Sequence, residues 1–204
     1  MQEVHLRNAL GMKVTVLNYG CTITYVCVPD KNGRFADVTL GLSKASNYFD
    51  PHPYLGSTVG RFANRISGAS FTIDGESFNL TANDGKHHLH GGERGFDKKW
   101  WKIQHADDSK VIMTCFSPNG EEGYPGNLHA QATFRIHDDF SYSVEYSAET
   151  DKTTPVSLTS HVYFNLTGDP GGIINSHELL LDADYYFIEA MQRLEHHLLS
   201  QNQQ

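Results

Sequence analysis

Apolar and polar residues alternate along much of this chain, and the alternation predicts a series of short strands. In the run from Phe140 to Ala148, aromatic and aliphatic side chains occupy every second position. A period of two is typical of a strand with one buried face. Similar β-rich runs recur at Lys13–Leu17, Thr22–Val28, Asp37–Leu40, Trp101–Ile103, Val111–Phe116, Leu128–Ile136 and Glu178–Asp184.

Turn-forming residues separate these runs. Asp74-Gly75 lies between two β-rich segments, Phe71–Ile73 and Ser77–Leu80, and this dipeptide is a strong signal for a two-residue hairpin. Many short strands joined by turns predict an all-β antiparallel sandwich or barrel. Further turns are predicted at Asn18–Gly20, Lys31–Gly33 and His137–Asp139, and a loop over residues 43–53 that holds a turn near 43–48.

After Phe187 the pattern becomes helical. Ile188, Met191, Leu194 and Leu198 are spaced by three and four residues, with polar residues between them. This spacing predicts a short amphipathic helix. The chain is therefore expected to divide into a β domain over residues 1–187 and a helical tail over residues 188–204.

One predicted strand, Pro155–Leu166, carries a row of polar side chains. His161, Tyr163 and Asn165 lie two residues apart, so they share one face of an extended chain, and the apolar residues between them face the other way. An imidazole, a phenol and an amide in a row suit the floor of a polar pocket. The alternative is a buried histidine that merely satisfies its hydrogen bonds inside a two-layer β domain.

Composition narrows the classes of function. The 204 residues are 39% hydrophobic and 20% charged, which indicates a folded globular protein. The net charge of -8 argues against nucleic acid or an anionic membrane as partner. The N-terminal residues contain no apolar run of signal-peptide length, and no stretch approaches membrane-spanning length. Three cysteines cannot all pair, so a cytoplasmic protein with free thiols is expected.

Two more motifs carry groups suited to chemistry. The motif GRFANRI places Asn64 beside Arg65, and together they offer a fork of hydrogen-bond donors to hydroxyl oxygens. The motif HHLHGG places His88 and His90 on one face of an extended segment. Histidines at that spacing suit either proton transfer or a metal ion.

Five motifs in order resemble those of the aldose 1-epimerase family, whose members are also called galactose mutarotases. They are GRFANRI, the LHGG that ends at Gly92, the segment Arg94–Lys98, the segment Ser117–Gly126 and LTSHVYFNL. The resemblance runs from near the N-terminus to about Tyr186. It implies a galactose mutarotase-like antiparallel β-sandwich that exchanges the α and β anomers of aldohexoses such as galactose and glucose, without a metal or an organic cofactor.

The resemblance also implies roles for individual residues. Mutarotation takes a proton from the C1 hydroxyl and gives one to the ring oxygen, so it needs an acid and a base near neutral pH. His161 would be the acid at the ring oxygen, and His90 would complete the catalytic pair by a hydrogen bond to the substrate nearby. Asn64 and Arg65 would hold sugar hydroxyls, and Tyr163 would line the site.

The chain departs from the family pattern after Phe187. The family's base is a glutamate close to the C-terminus, helped by an aspartate upstream, and neither motif is present. Glu189 and Glu195 lie on the predicted tail helix and match no family motif. We therefore expect an incomplete sandwich and little or no mutarotase activity in the chain as given.

Two other classes of function are compatible with the sequence. One is a non-catalytic sugar-binding protein that uses Asn64, Arg65, His90 and His161 without a base. The other is a metal-dependent β-barrel enzyme that uses His88 together with His90 and His161. In the favoured interpretation the partner is a small aldohexose, and the protein is a monomer or a weak dimer.

Overall fold

The computed structural model describes residues 1–169 and 171–185. Within these residues the regular secondary structure is almost entirely strand, with four short 3-10 turns in the connections. The strands are β1 Glu3–Arg7, β2 Lys13–Leu17, β3 Thr22–Pro29, β4 Phe35–Asp37, β5 Thr58–Val59, β6 Arg65–Ile66, β7 Ser70–Ile73, β8 Glu76–Asn79, β9 His88–Leu89, β10 Lys102–Ala106, β11 Lys110–Ser117, β12 Leu128–Ile136, β13 Tyr142–Thr150 and β14 Thr159–Ser160. The 3-10 turns are Ala45–Phe49, Ser67–Ala69, Phe96–Lys98 and Glu121–Gly123.

Two four-stranded antiparallel meanders form the body of the molecule. The first has the order β1-β2-β3-β4 and the second has the order β10-β11-β12-β13. Each strand pairs with its neighbour in sequence, because short turns bring consecutive strands together. Asn8 fastens one sheet to the other: its side-chain amide donates to the carbonyl oxygens of His137 and Asp139, at 2.8 and 2.7 Å.

The inner faces of these two sheets enclose the main hydrophobic core. Along β12, buried residues alternate with more exposed ones over the whole strand, as a two-layer packing requires. Val14 and Val16 of β2 lie in the same cluster as Met113 of β11 and Phe134 of β12. Each such side chain contributes roughly 1.5–3 kcal/mol by its burial. The predicted all-β sandwich is confirmed.

The Asp74-Gly75 hairpin is also confirmed. β7 and β8 pair around this dipeptide, from Ser70 opposite Asn79 to Ile73 opposite Glu76. Asp74 has a φ of +52° and Gly75 a φ of +82°, so both turn residues adopt the left-handed conformation that such a hairpin needs.

The segment Pro155–Leu166 was predicted to be one strand, and this is wrong. Only Thr159–Ser160 pairs as a strand, with β5, and the rest makes isolated contacts with other segments. The Ser157 amide donates to the Arg61 carbonyl at 2.9 Å, and the Tyr163 carbonyl accepts from the Leu40 amide at 2.9 Å. Since its partners lie in three separate places, the segment follows no single neighbouring strand.

Two other local predictions have mixed outcomes. The turn near residues 43–48 is present as the 3-10 turn Ala45–Phe49, with Tyr48 buried. The strand from Phe140 begins instead at Tyr142, because the connection between β12 and β13 extends to Ser141, whose carbonyl accepts from the His137 amide.

The strand predicted at Glu178–Asp184 is wrong. These residues form no strand, and Leu179, Leu180 and Leu181 are 84%, 94% and 70% exposed. A strand forms only where a second backbone can complete its hydrogen bonds, and no described segment pairs with this one.

The tail helix predicted from Ile188 onward lies outside the described residues. Within the described residues, no helix is long and apolar enough to cross a membrane.

Candidate functional site

The imidazoles of His90 and His161 meet although they belong to distant parts of the chain. Their ring centroids are 5.1 Å apart and the ring planes are nearly perpendicular, at 87°. β14 pairs with β5 just before His161, whose amide donates to the Ser57 carbonyl and whose carbonyl accepts from the Gly56 amide, at 2.9 and 3.0 Å. The backbone of His161 is therefore fixed on both sides.

Asn64 sets the orientation of the His90 ring. The His90 amide donates to the Asn64 carbonyl at 3.1 Å, and the Asn64 amide donates to Nδ1 of His90 at 3.0 Å. Because Nδ1 accepts a hydrogen bond, the neutral ring carries its proton on Nε2. Both residues have positive φ, +66° for Asn64 and +54° for His90, so each turns the chain where an extended strand would continue.

Two tyrosines flank the histidine pair. Tyr163 packs on His161 with ring centroids 5.1 Å apart, as the shared strand face predicted, and its hydroxyl donates to the Pro53 carbonyl at 3.1 Å. Tyr54 packs on both histidines, at 4.6 Å from the His90 ring and 5.7 Å from the His161 ring. Burial, and then the nearby carboxylates of Asp97 and Asp84, raise the pKa of Tyr54, so its phenol stays protonated at neutral pH.

Sequence reasoning missed Tyr54. It lies one residue after the loop assigned to 43–53, and it touches His90 and His161 only because the fold brings three segments together. The one available signal is the pair Pro51 and Pro53, which restricts the backbone just before an aromatic side chain.

Arg65 lies at the edge of the site, next to Asn64. Its strand β6 pairs with β9, and Arg65 stands opposite Leu89, the residue before His90. The Arg65 Nε donates to Oδ2 of Asp84 at 2.7 Å, and both side chains are partly exposed. An exposed ion pair of this kind contributes only about 0–1 kcal/mol to stability, so its main effect is to orient the guanidinium. Asp84 is a second residue that the sequence did not indicate.

Asn165 does not extend the polar row. It is buried, and its amide nitrogen donates to the carbonyl oxygens of Asp169 and Gly172, at 3.0 and 2.9 Å. Its Oδ1 accepts from the Thr167 amide at 3.1 Å and from the Thr167 hydroxyl at 2.6 Å. Asn165 thus organises its own loop, and the shared polar face ends at Tyr163.

His88 does not share a face with His90, which corrects the prediction from their spacing. His88 is fully buried, with Nδ1 2.7 Å from the Thr81 carbonyl and Nε2 2.7 Å from the Tyr124 hydroxyl. Burial lowers the pKa of His88, so the ring is neutral and donates from Nδ1 while Tyr124 donates to Nε2. Both nitrogens are engaged, and the described residues hold no cluster of three or more groups suited to a metal ion. The hypothesis of a metal site on His88, His90 and His161 is therefore wrong.

Arg61, the first arginine of the GRFANRI motif, is buried behind the site. Nε donates to the Ser117 hydroxyl at 2.8 Å, Nη1 to the Pro125 carbonyl at 3.0 Å, and Nη2 to the carbonyls of Ser117 and Pro118, both at 2.9 Å. Ser117 in turn donates to the Glu121 carboxylate. Arg61 thus binds the Ser117–Gly126 segment to the segment that carries Asn64.

Asp97 is a buried carboxyl group close to the His90 backbone. A Cβ atom placed on Gly95 would lie 2.8 Å from Asp97 Oδ1 and 2.8 Å from the His90 carbonyl oxygen. The two oxygens are therefore at most about 5.6 Å apart, the sum of these two distances. Oδ1 accepts no hydrogen bond from the described residues, and Lys98 Nζ lies 3.7 Å from Oδ2. Burial raises the pKa of Asp97 to about 6.

The chain is similar to proteins of one family. A family model for aldose 1-epimerase matches residues 2–198. The galactose mutarotase of Sus scrofa is 43% identical over 175 residues, which cover 86% of this chain and 51% of that protein. The aldose 1-epimerase of Escherichia coli K12 is 40% identical over 181 residues, which cover 89% of this chain and 52% of that protein.

Solved structures give the same result. A GalM/aldose epimerase homologue from C. elegans superposes with a TM-score of 0.78 at 30% identity, over 80% of this chain and 50% of that one. A galactose 1-epimerase from Lactobacillus acidophilus superposes with a TM-score of 0.71 at 34% identity, over 80% of this chain and 48% of that one. The chain spans about half the length of the relatives it matches. By its sequence and its fold, this chain belongs to the aldose 1-epimerase family.

Proposed function

We propose that this site binds the pyranose ring of an aldohexose, such as galactose or glucose, and supplies the acid, but not the base, for the exchange of its α and β anomers. The observation that carries the proposal is the contact between the imidazoles of His90 and His161, at 5.1 Å between ring centroids. Two imidazoles at one place supply hydrogen-bonding and proton-transfer groups. The names of the relatives, galactose mutarotase and aldose 1-epimerase, support the same chemistry.

Each side chain has a role in this proposal. His161 gives a proton to the ring oxygen as the bond from that oxygen to C1 breaks, and His90 hydrogen-bonds the sugar beside it through its Nε2 proton. Asn64 and Arg65 bind hydroxyls. Tyr163, together with Tyr54, lines the site with ring surfaces against which the C–H groups of a pyranose can pack. After the C1–C2 bond rotates, the reverse proton transfers close the other anomer.

In this proposal water takes the proton from the C1 hydroxyl, because no side chain of the described residues is assigned as the base. The family's glutamate has no match among the motifs of this sequence. Of the carboxylates near the site, Asp84 is paired with Arg65, and Asp97 is buried behind the His90 turn. We therefore propose that the chain binds aldohexoses but accelerates mutarotation weakly or not at all, since a missing base removes a factor of roughly 10² or more.

Polarimetry of freshly dissolved α-D-galactose tests the catalytic part, and calorimetric titration with galactose tests binding. We expect galactose to bind to the parent protein, and its affinity to fall at least tenfold in His161→Asn and in His90→Asn. We expect the optical rotation of the sugar solution to change at close to the rate in buffer alone. Addition of EDTA should alter neither result.

Two outcomes contradict parts of this proposal. Absence of galactose and glucose binding would overturn the assignment of the site. A rate far above buffer that disappears in His161→Asn would show that a carboxylate of this chain serves as the base. We further propose that the protein is a monomer or a weak dimer. We also propose that it lies in the cytoplasm, a location supported by three cysteines that are free and buried, Cys21, Cys27 and Cys115.

A further inference from the structure

The side chain of Glu122 reaches across from its own loop to the turn that follows His90. Oε1 accepts from the Arg94 amide at 2.9 Å, and Oε2 accepts from the Glu93 amide at 3.2 Å. Neither contact is a salt bridge, because both donors are backbone N–H groups. The carboxylate therefore holds the main chain of the turn, irrespective of the side chains at those two positions.

The turn itself is shaped to receive this carboxylate. Gly92 has a φ of +98°, and a Cβ at that position would lie 2.1 Å from Oε2 of Glu122. Gly91 has a φ of +90°, and a Cβ there would lie 1.7 Å from the Gly60 carbonyl oxygen. Two glycines thus let the turn pass between the Glu122 carboxylate on one side and the Gly60 peptide on the other.

The loop that presents Glu122 is held rigidly. Glu122 has a φ of +53°, which is uncommon for a residue with a side chain and persists only where the surroundings fix it. Its carbonyl accepts from the Thr81 amide at 3.1 Å. Tyr124, two residues on, donates to the buried His88, and the Arg61 guanidinium binds both ends of the loop through Ser117 and Pro125.

We propose that Glu122 is a positioning residue for the sugar site: it fixes the turn after His90 and so fixes the His90 imidazole against His161. Asn64 holds His90 from the preceding side, through its amide and carbonyl. Glu122 holds the residues that follow, so the ring is constrained from both directions along the chain. The proposal rests on the proposed function for its effect on sugar, and on backbone geometry for its effect on His90.

The two oxygens accept different N–H groups, which makes glutamine a sharp test. Glu122→Gln keeps the size of the side chain but replaces one accepting oxygen with an NH₂ group. That group cannot accept a hydrogen bond from the backbone N–H that faces it. The matched control is Glu93→Gln, which removes the same charge from the neighbouring exposed side chain and leaves its backbone N–H in place. Because the Glu93 side chain makes none of these contacts, the control isolates the effect of charge.

Two measurements on the complete chain separate this proposal from the proposed function. The first measurement is a ¹H–¹⁵N spectrum of the imidazoles in sugar-free protein, in which the signal lost in His90→Gln identifies His90. We expect Glu122→Gln to shift the His90 signal and Glu93→Gln to leave it unchanged. In calorimetric titration, Glu122→Gln should weaken galactose binding about tenfold, with the unfolding midpoint close to that of the parent protein.

Each result has a defined meaning. An unchanged His90 signal in folded Glu122→Gln overturns the positioning role, whatever the sugar does. A shifted His90 signal supports the role even if the parent protein binds no galactose, in which case only the proposed function fails. If Glu122→Gln does not fold, Glu122→Asp replaces it, since the shorter carboxylate keeps the charge but reaches the two amides poorly; an unshifted His90 signal there overturns the role equally.

Discussion

The buried carboxyl group of Asp97 opposes folding at neutral pH. Asp97 is 5% exposed, and burial raises its pKa to about 6 from the ordinary value of 3.8. Lys98 offsets only part of this effect, from 3.7 Å. Because the folded pKa lies above the unfolded one, the folded protein favours the protonated form. The contribution of Asp97 to stability is complete below pH 3.8 and is lost as the pH rises through about 6.

We therefore predict that Asp97→Asn stabilises the protein at pH 8. The gain in the free energy of unfolding is about 1–3 kcal/mol, since one pKa unit corresponds to about 1.4 kcal/mol. Between pH 5 and pH 8 the parent protein should lose roughly 1 kcal/mol relative to the variant. Urea unfolding at both pH values measures this, with Asp138→Asn on the exposed surface as control. Equal stability of parent and Asp97→Asn at pH 8 would contradict the prediction.

At the scale of elements, the connection between β11 and β12 depends on one arginine that belongs to neither strand. Arg61 gives its donors to the hydroxyl and carbonyl of Ser117 and to the carbonyls of Pro118 and Pro125. Arg61 is 2% exposed, and its guanidinium lies 5.6 Å from the centre of the Tyr124 ring. Its planar fork matches acceptors that point from several directions, which an ammonium group cannot do.

We predict that Arg61→Lys lowers the free energy of unfolding by about 2–4 kcal/mol although the charge is kept, because buried carbonyl oxygens lose their donors. Urea unfolding measures the change, and Arg135→Lys on the exposed face of β12 is the matched control. A loss no larger than that of the control would mean that the loop is held by other contacts, such as the pairing of Lys99 with Glu121.

Secondary structure was predictable where it depends on neighbours in sequence. The Asp74-Gly75 hairpin follows from turn residues that adopt positive φ readily, and β12 follows from its period of two. The Pro155–Leu166 segment was not predictable in the same way. Its alternation is real, since His161 and Tyr163 do share a face, but backbone pairing depends on which segments the fold brings alongside.

At the scale of the molecule, several large apolar side chains of the described segment around residue 180 are exposed. Leu179 and Leu181 are 84% and 70% exposed, and Ile173 is 74% exposed. Soluble monomers rarely leave large contiguous apolar surfaces in water. Such a surface favours weak association between copies of the chain.

We predict that Leu179→Ser combined with Leu181→Ser reduces concentration-dependent association and leaves the free energy of unfolding within about 0.5 kcal/mol of the parent. Sedimentation velocity over a range of concentrations measures association. The control combines Leu179→Ile with Leu181→Ile, which keeps the surface apolar. Undiminished association in the serine variant would place the contact elsewhere on the surface.

The sequence by itself determined what depends on local patterns. Period and turn chemistry predicted an all-β sandwich or barrel. The order of five motifs pointed to the family, to its sandwich, and to Asn64, Arg65, His90, His161 and Tyr163. Strand geometry placed His161 beside Tyr163, since side chains two residues apart share a face.

Only the tertiary structure decided which of these groups meet and which are buried. His90 approaches His161, and His88 turns away from both, because a positive φ at His90 ends the extended geometry that the spacing assumed. Tyr54 enters the site, and Glu122 reaches the turn after His90, across long separations in sequence. Such contacts depend on the packing of whole segments, and no periodicity within a single segment encodes them.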